Sequence, residues 1–199
     1  MCSRYEMKAQ AEEVRITFGL MAPPLLANAV QFRPTDQAMV IAGNKNGELQ
    51  ARLMGWGLGV EWDNKPIINS RAETLAQKKT FQPLLQTRCL VPATGYFEWR
   101  KSGQTKLKNR ISVEDTPVIA FAGLTDGEKF TIITCPPTPA IAHIHDRMPV
   151  ILNHDALGPW VDPGKSFGDV ANYLTPYEER PLSAIEDTPP PPRQSDLFG

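Results

Sequence analysis

Cysteine is scarce in this sequence, and long apolar runs are missing. The chain contains three cysteines, Cys2, Cys89 and Cys135, and none of them forms a Cys-x-x-Cys pair. This pattern argues against a disulfide framework and a structural zinc site, and we expect no metal or other cofactor. Apolar stretches such as 118–124 have the length of one strand and are too short to cross a membrane. Residues 1–20 lack the basic and then apolar pattern of a secretory signal, which predicts a cytoplasmic protein.

Charged residues are present in ordinary numbers but are unevenly distributed. The chain has 199 residues, of which 41% are apolar and 22% charged, a composition typical of a globular protein with one sizeable core. Residues 1–111 contain 16 Lys and Arg against 9 Asp and Glu, whereas residues 112–199 contain 5 against 13. This split is compatible with a nucleic-acid-binding face on the amino-terminal half and equally with charges scattered over a solvated surface.

The 19 prolines and 14 glycines divide the sequence into short segments, most of which have strand character. The predicted strands are 38–42, 49–56, 88–92, 95–100, 117–124, 129–135 and 148–152. Asn-Gly, Ser-Gly and Asp-Gly turns at 46–47, 102–103 and 126–127 indicate antiparallel hairpins. The predicted helices are 9–18, 72–79 and 155–160, with a short helical turn at 137–141. The expected fold class is α+β and mainly β, a curved sheet decorated by a few peripheral helices.

The compact part is predicted to end near residue 186, which gives a domain of residues 1–186 and a tail of residues 187–199. Residues 188–193 read Thr-Pro-Pro-Pro-Pro-Arg, the composition of a polyproline II spacer. The segment 194–198 follows and reads Gln-Ser-Asp-Leu-Phe. Large apolar side chains at the end of a stiff polar spacer indicate a binding partner for this segment.

Cys2 is a candidate nucleophile because of its place in the chain. If Met1 is removed, residue 2 carries both a free α-amine and a thiol. The reference pKa is about 7.7–8.0 for the amine and about 8.5 for the thiol, so both are partly nucleophilic near neutrality. A 1,2-aminothiol reacts with an aldehyde to form an imine, which the thiol then closes to a five-membered thiazolidine ring.

Three further segments place polar residues among apolar ones. Asn69 and Arg71 fall on one face if residues 68–73 are extended. Glu98 is a single carboxylate among three aromatic residues, and burial there would raise its pKa and suit it to general-acid catalysis. His145 is a candidate acid–base group that shares a face with Arg147 if that segment is extended. Each has an ordinary structural alternative, but Cys, His, Glu and Asn together are components of covalent catalysis.

Several segments occur in the order found in one known family, and they span most of residues 1–152. They are 1–5, 33–35, 55–57, 68–74, 88–93, 95–99, 121–124 and 145–152. The sequence therefore resembles the SOS-response-associated peptidase (SRAP) family of abasic-site-binding proteins. The resemblance implies a curved, barrel-like β fold whose basic groove takes single-stranded DNA.

The resemblance also implies roles for individual residues. Cys2 would crosslink to the ring-opened aldehyde of an abasic site, with Asn69 orienting the sugar or the α-amine. Glu98 would help to open the deoxyribose ring, and His145 would shuttle protons and could assist strand cleavage by β-elimination. The DNA contacts implied are Arg4, Trp56, Arg71 and Arg147. We expect a monomer that acts on the nucleoid and removes its own Met1.

The tail resembles the bacterial peptide that binds the replication sliding clamp, Gln-x-Asp/Ser-Leu-Phe. In this comparison Leu197 and Phe198 would fill an apolar pocket, while Gln194 and Asp196 would set the register. The proline-rich spacer would hold the peptide away from the domain at a low entropic cost.

Three other functions use the same residues. Cys2, His145 and Glu98 also have the composition of a cysteine peptidase triad. An early cysteine is compatible with an amidotransferase that has an amino-terminal nucleophile, although the chain is too short for an ammonia-acceptor domain. A clamp-bound adaptor that coats single-stranded DNA without chemistry is the non-enzymatic alternative.

Overall fold

The structure, a computed structural model, describes residues 2–27, 29–44 and 46–187. The strands are β1 Tyr5–Glu6, β2 Gln31–Phe32, β3 Gln37–Gly43, β4 Leu49–Trp56, β5 Leu58–Val60, β6 Asp63–Ile67, β7 Asn69–Arg71, β8 Arg88–Ala93, β9 Gly95–Ser102, β10 Thr105–Val113, β11 Ile119–Thr125, β12 Lys129–Cys135, β13 Met148–Pro149 and β14 Leu182–Glu186. The α-helices are α1 Ala11–Phe18, α2 His154–Val161 and α3 Phe167–Val170. Short 3₁₀ helices span Ala72–Gln77, Gln82–Leu84 and Ala171–Tyr173.

Two large sheets form the body of the molecule. The first has the strand order β14-β10-β9-β1-β2, and every pair in it is antiparallel. The second contains the ring β11-β8-β3-β4-β12, which closes because β12 also pairs with β11. The mainly β, barrel-like fold class expected from the sequence is confirmed.

Strand β12 pairs with four other strands and closes the barrel. It pairs in parallel with β4 and with β7, and antiparallel with β11 and β13. The residues of this strand from Phe130 to Cys135 are buried, as expected for a strand with neighbours on both edges and packing on both faces. The two parallel pairings differ from the hairpin arrangement predicted from the turn residues, because β4 and β7 reach β12 from distant parts of the chain.

The core lies between the two sheets. Tyr5 of β1 and Tyr96 of β9 are cross-strand partners, and both rings pack edge-on against Phe121 of β11, with centroids 5.9 Å apart in each case. Tyr5 also stacks on Phe32. These contacts tie the start of the chain to the centre of the molecule, which fixes the position of the residues just before β1.

Most of the predicted elements are present, with shifted ends. All seven predicted strands correspond to observed ones, although the last is reduced to Met148–Pro149. Helix α1 begins two residues later than predicted, where the Gln10 N–H donates to the Glu13 carboxylate, and it ends at Gly19, whose φ of 63° is left-handed. The predicted helix at 72–79 is the 3₁₀ helix Ala72–Gln77, and 137–141 lies in a series of turns.

Several elements were not predicted. The longest is β10, and the others are β1, β2, β5, β6, β7, β14 and α3. Within the described residues, no helix is long and apolar enough to cross a membrane. The predicted proline-rich spacer and the terminal peptide, residues 188–199, lie outside the described residues.

Candidate active site

Cys2 lies three residues before β1 and is buried. Its thiol donates to the Arg4 carbonyl oxygen across 3.7 Å, and its own carbonyl oxygen accepts a hydrogen bond of 2.8 Å from Asn69 Nδ2. Burial raises the pKa of the Cys2 thiol, and the nearby Glu98 raises it further. The thiol is therefore neutral while it stays buried, and its main chain is held in place by Asn69.

Asn69 opens β7, and the pairing of this short strand sets its position. β7 runs parallel to β12, with Asn69 opposite Ile132. The preceding carbonyl, that of Ile68, accepts hydrogen bonds from the Ile132 N–H and from the Trp56 indole. The pairing of β7 with β12 thus fixes the main chain of Asn69, and the Asn69 side-chain amide reaches the Cys2 carbonyl.

Glu98 and His145 come together from distant parts of the sequence. Glu98 lies on β9 and is almost fully buried, and this loss of solvent raises its pKa to about 7. His145 Nε2 lies 3.7 Å from Glu98 Oε2. The turns before His145 are anchored by the buried side chains of Ile141 and Ile144, which orient the histidine toward β9. His145 therefore directly follows these turns and is not on a strand, contrary to the extended arrangement considered from the sequence.

The surroundings of His145 favour one neutral tautomer. Its Nδ1 lies 3.0 Å from the Arg147 main-chain N–H and also 3.0 Å from Asp146 Oδ1. The Asp146 carboxylate would favour a proton on Nδ1, but its side chain is 89% exposed and its charge is screened by solvent. The main-chain N–H of Arg147 can only donate, so Nδ1 accepts this bond and the ring proton is assigned to Nε2 on the side of Glu98. Burial lowers the pKa of His145, which agrees with a neutral ring.

A groove of about 550 Å³ opens over these two residues. It is lined by Ser3, Arg4, Glu98, Trp99, Lys101, Lys106 and His145. The Arg4 guanidinium lies 5.5 Å from the centre of the Trp99 ring, within the range of a cation–π contact. An acid–base pair thus shares one groove with three cationic side chains and a partly exposed aromatic ring, immediately beside Cys2.

Trp99, Lys101 and Lys106 were not predicted from the sequence as site residues. The two lysines flank the predicted Ser-Gly turn, and β9–β10 pairing places them directly opposite each other. Trp99 follows Glu98 in the same strand. Reading residues 95–113 as one hairpin would have brought all three together.

Trp56 requires a correction. It was expected beside the bound strand, but its side chain is fully buried, its indole donates to the Ile68 carbonyl, and its ring stacks on Phe130. In this position Trp56 is a core residue and cannot stack on a base. Trp99 is the aromatic side chain that the structure places in the groove.

The two remaining arginines differ in their surroundings. Arg71 ends β7 and is exposed, with its side chain on the same strand as Asn69. Arg147 donates to both carboxylate oxygens of Glu73 and to the Thr134 carbonyl, and its side chain is only 11% exposed. Arg71 is thus accessible to a ligand, whereas Arg147 is mostly engaged within the protein.

The remaining predicted sites involve the tail and metal binding. Gln194, Asp196, Leu197 and Phe198 lie outside the described residues. Among residues 2–27, 29–44 and 46–187, no three His, Cys, Asp or Glu side chains converge in a way that could hold a metal ion. The three cysteines are free and buried.

Comparison with known proteins gives consistent results over most of the chain. A family model described as SOS response associated peptidase (SRAP) matches residues 1–187. The chain is 37% identical over 206 residues to the abasic site processing protein YobE of Bacillus subtilis, with 94% of each chain covered. It is 36% identical over 172 residues to the abasic site processing protein YoaM of the same organism, covering 77% of this chain and 74% of YoaM. A crystal structure of a Bordetella bronchiseptica protein superposes with a TM-score of 0.82 at 25% identity, covering 94% of this chain and 100% of the other.

Proposed function

Because this chain belongs to the SOS response associated peptidase family, we propose that it recognises abasic sites in single-stranded DNA and captures them covalently through Cys2. The relatives named above are abasic site processing proteins, which supports DNA as the substrate class. The observation that carries the proposal is the groove beside Cys2, where Glu98 and His145 face each other among Arg4, Trp99 and two lysines.

The groove has the properties needed to bind a single strand without reading its sequence. Cationic side chains bind the phosphates of the DNA backbone. An aromatic ring can stack on any of the four bases, because every base has a flat π-face. Lys101 and Lys106 are directly opposite each other, an arrangement that is unfavourable in a free sheet because like charges repel. A phosphate between them would relieve this repulsion, so the pair favours an anionic ligand.

In the first chemical step, Glu98 and His145 open the deoxyribose ring. The abasic sugar is a cyclic hemiacetal at C1′. Protonated Glu98 donates to the ring oxygen while a base removes the proton of the C1′ hydroxyl, and the product is the free aldehyde. A pKa of about 7 keeps part of Glu98 protonated near neutrality, water takes the proton of the C1′ hydroxyl, and the His145 Nε2–H can donate to the Glu98 carboxylate that the transfer leaves.

In the second step, the aminothiol closes on the aldehyde. The α-amine of Cys2 attacks C1′ and the carbinolamine loses water to give an imine. The thiol sulfur then adds to the imine carbon, the thiol proton passes to the nitrogen, and a thiazolidine forms. The hydrogen bond from Asn69 Nδ2 to the Cys2 carbonyl holds the main chain during both additions. The same imine is also the starting point for β-elimination, the proposed lyase activity.

This chemistry requires a free α-amine on Cys2, and we propose that the protein removes its own Met1. The buried, neutral thiol is compatible with ring closure, because the sulfur adds to an imine formed beside it. A peptidase that acts on other proteins would use the same residue, and the crosslinking assay described next distinguishes that alternative from covalent capture.

The proposal is tested with a single-stranded oligonucleotide that carries one abasic site. Wild-type protein should give a shifted band on a denaturing gel, and Cys2→Ala should abolish the stable crosslink. Cys89→Ala and Cys135→Ala are matched controls because these thiols are also buried, and both should crosslink normally.

Intact mass determination of the purified protein should show the loss of one methionine. Stable crosslinking by Cys2→Ala, or crosslinking by a chain that retains Met1, would contradict the mechanism.

We further propose that residues 194–198 bind the replication sliding clamp. This part of the proposal rests on the sequence of the tail, with Leu197 and Phe198 as apolar anchors. It would bring the capture site to newly unwound single strands.

A further inference from the structure

Arg147 connects three separate segments of the candidate active site. Its Nη1 lies 2.5 Å from Glu73 Oε1, and its Nη2 lies 2.9 Å from Glu73 Oε2. The same Nη2 donates to the Thr134 carbonyl across 2.6 Å. The Arg147 main-chain N–H donates to His145 Nδ1 across 3.0 Å. One residue therefore links the segment of His145 to β12 and to the 3₁₀ helix Ala72–Gln77.

These contacts also reach the strand that carries Asn69. Thr134 lies opposite Arg71 in the parallel pairing of β12 with β7, and its hydroxyl donates to the Ser70 carbonyl across 3.2 Å. Asn69 precedes Ser70 and binds the Cys2 carbonyl. The Arg147 guanidinium is thus joined through Thr134 to the strand that carries Asn69, and the Arg147 main chain is bonded to the histidine.

Glu73 is the anionic partner in this arrangement. It lies in the first turn of the 3₁₀ helix that directly follows β7, and its carboxylate meets the guanidinium with two parallel bonds. The hydrogen bonds from Arg147 lower the pKa of Glu73, so the carboxylate is ionised at neutral pH. A guanidinium that is 11% exposed needs such a partner, because an unpaired buried charge is costly.

We infer that Glu73 is a positioning residue for the capture reaction: it fixes the Arg147 guanidinium, and through the Arg147 main chain it keeps His145 in the Nε2–H tautomer facing Glu98. The inference deepens the proposed function and rests on it for its catalytic consequence. Its structural part, the state of the His145 ring, is independent of any DNA chemistry.

The first test is the tautomer of His145 in the protein without DNA. The chain contains only three histidines, so long-range ¹H–¹⁵N correlation spectra can be assigned with single histidine variants. Wild-type protein should show one His145 tautomer with the proton on Nε2. Glu73→Gln keeps the shape of the side chain but removes its charge, and it should give a mixture of tautomers.

The second test compares crosslinking with reversible binding. Glu73→Gln should slow crosslinking to an abasic site by about 10- to 100-fold, because small displacements of a reacting group have effects of this size. Its affinity for an undamaged single strand should stay within about twofold of the wild type. Glu12→Gln is the matched control, because it breaks the exposed Glu12–Arg15 pair on α1 and should change neither result.

Two results would overturn the inference about Glu73, and a third would refute only the proposed function. An unchanged His145 tautomer in Glu73→Gln would overturn the inference. An equal loss of strand affinity and crosslinking rate would also overturn it, since Glu73 would then act on the groove and not on the histidine. If Glu73→Gln does not fold, Glu73→Asp should show the same tautomer mixture to a smaller extent, because its shorter side chain retracts the carboxylate from Arg147. Absence of crosslinking by the wild type would refute the proposed function but leave the tautomer test valid.

Discussion

Glu98 is a carboxyl group that the fold holds in an almost water-free position on β9. Its pKa is raised from 4.5 to about 7 by burial, so the folded state binds its proton more tightly than the unfolded state does. The contribution of Glu98 to stability is therefore greatest below pH 4.5 and is lost as the pH rises through 7. At neutral pH the site retains this unfavourable carboxylate, as expected for a residue with a catalytic role.

Replacing Glu98 with Gln should therefore stabilise the protein at pH 8. The gain should be no more than about 3 kcal/mol and should vanish below pH 4.5, where Glu98 is protonated in both states. Urea unfolding of both proteins at pH 4 and pH 8 measures this difference, and the variant should also crosslink more slowly. A variant that is less stable than the wild type at pH 8 would show that the carboxylate is structurally required.

The site residues were predicted from the sequence to different degrees. Cys2 was predicted as a candidate from its position in the chain, and Glu98 from the aromatic residues around it; the burial and raised pKa expected for Glu98 are present. The burial of Trp56 could not be predicted, because its flanking glycines are equally compatible with a ring on the surface and a ring in the core. The partnership of Arg147 with Glu73 depends on the pairing of β7 with β12, which no local pattern encodes.

The hairpin β9–β10 is the element that supplies the groove with Trp99 and two lysines. Lys101 and Lys106 are directly opposite each other near its tip and are exposed. This arrangement costs stability in the free protein and should be favourable only with an anion present.

Lys106→Thr should therefore increase stability and weaken DNA binding. We expect a gain of about 0.2–1 kcal/mol in the free energy of unfolding. The slope of log affinity for an undamaged single strand against log salt concentration should become shallower by about 0.7, the loss of one phosphate contact. Fluorescence anisotropy at several salt concentrations measures the slope.

Lys165→Thr removes an exposed lysine elsewhere and should leave this slope unchanged. An unchanged slope in Lys106→Thr would show that the β9–β10 hairpin does not contact the DNA.

Strand prediction succeeded for every strand of the closed barrel and failed for the highly charged strand β10 and several short strands. β8, β11 and β12 belong to the closed barrel and read as continuous apolar runs. β10 places Lys106, Lys108 and Arg110 on one face, and Asn109 interrupts the apolar residues on the other. Leu107, Ile111 and Val113 nevertheless alternate with these polar residues, so the segment has the pattern of a half-buried strand, which the prediction missed.

At the scale of the whole molecule, the charge asymmetry has a structural counterpart. The basic amino-terminal half contains the cationic residues Arg4, Arg71, Lys101 and Lys106. The carboxyl-terminal half contributes β12, His145 and β14. The site is assembled from both halves. The closure of the barrel by β12 could not be predicted, because it depends on pairings between strands far apart in sequence.

The tail can be tested apart from the domain. β14 ends at Glu186, and Asp187 is bound to Lys108 by its main-chain N–H and by an ion pair of 2.6 Å, so changes beyond it should not disturb the sheet. Leu197→Ala with Phe198→Ala should weaken binding to a purified bacterial sliding clamp by about 30-fold or more, as loss of apolar anchors does. Surface plasmon resonance measures this affinity.

Ser195→Ala is the matched control for the tail, because position 195 is variable in the peptide pattern. It should bind the clamp normally. Crosslinking to an abasic site should be unchanged in all of these variants. A double variant that binds the clamp as tightly as the wild type would refute this partner.

The pairing of Tyr5 with Tyr96 has a consequence for biosynthesis. β1 has no neighbour on its β9 side until residue 96 has been synthesised, and at 5–20 residues per second this takes at least about 5 to 20 seconds. During that interval the first residues of the nascent chain stay outside the core. Cys2, which is buried in the folded protein, therefore becomes enclosed only when β1 docks between β2 and β9.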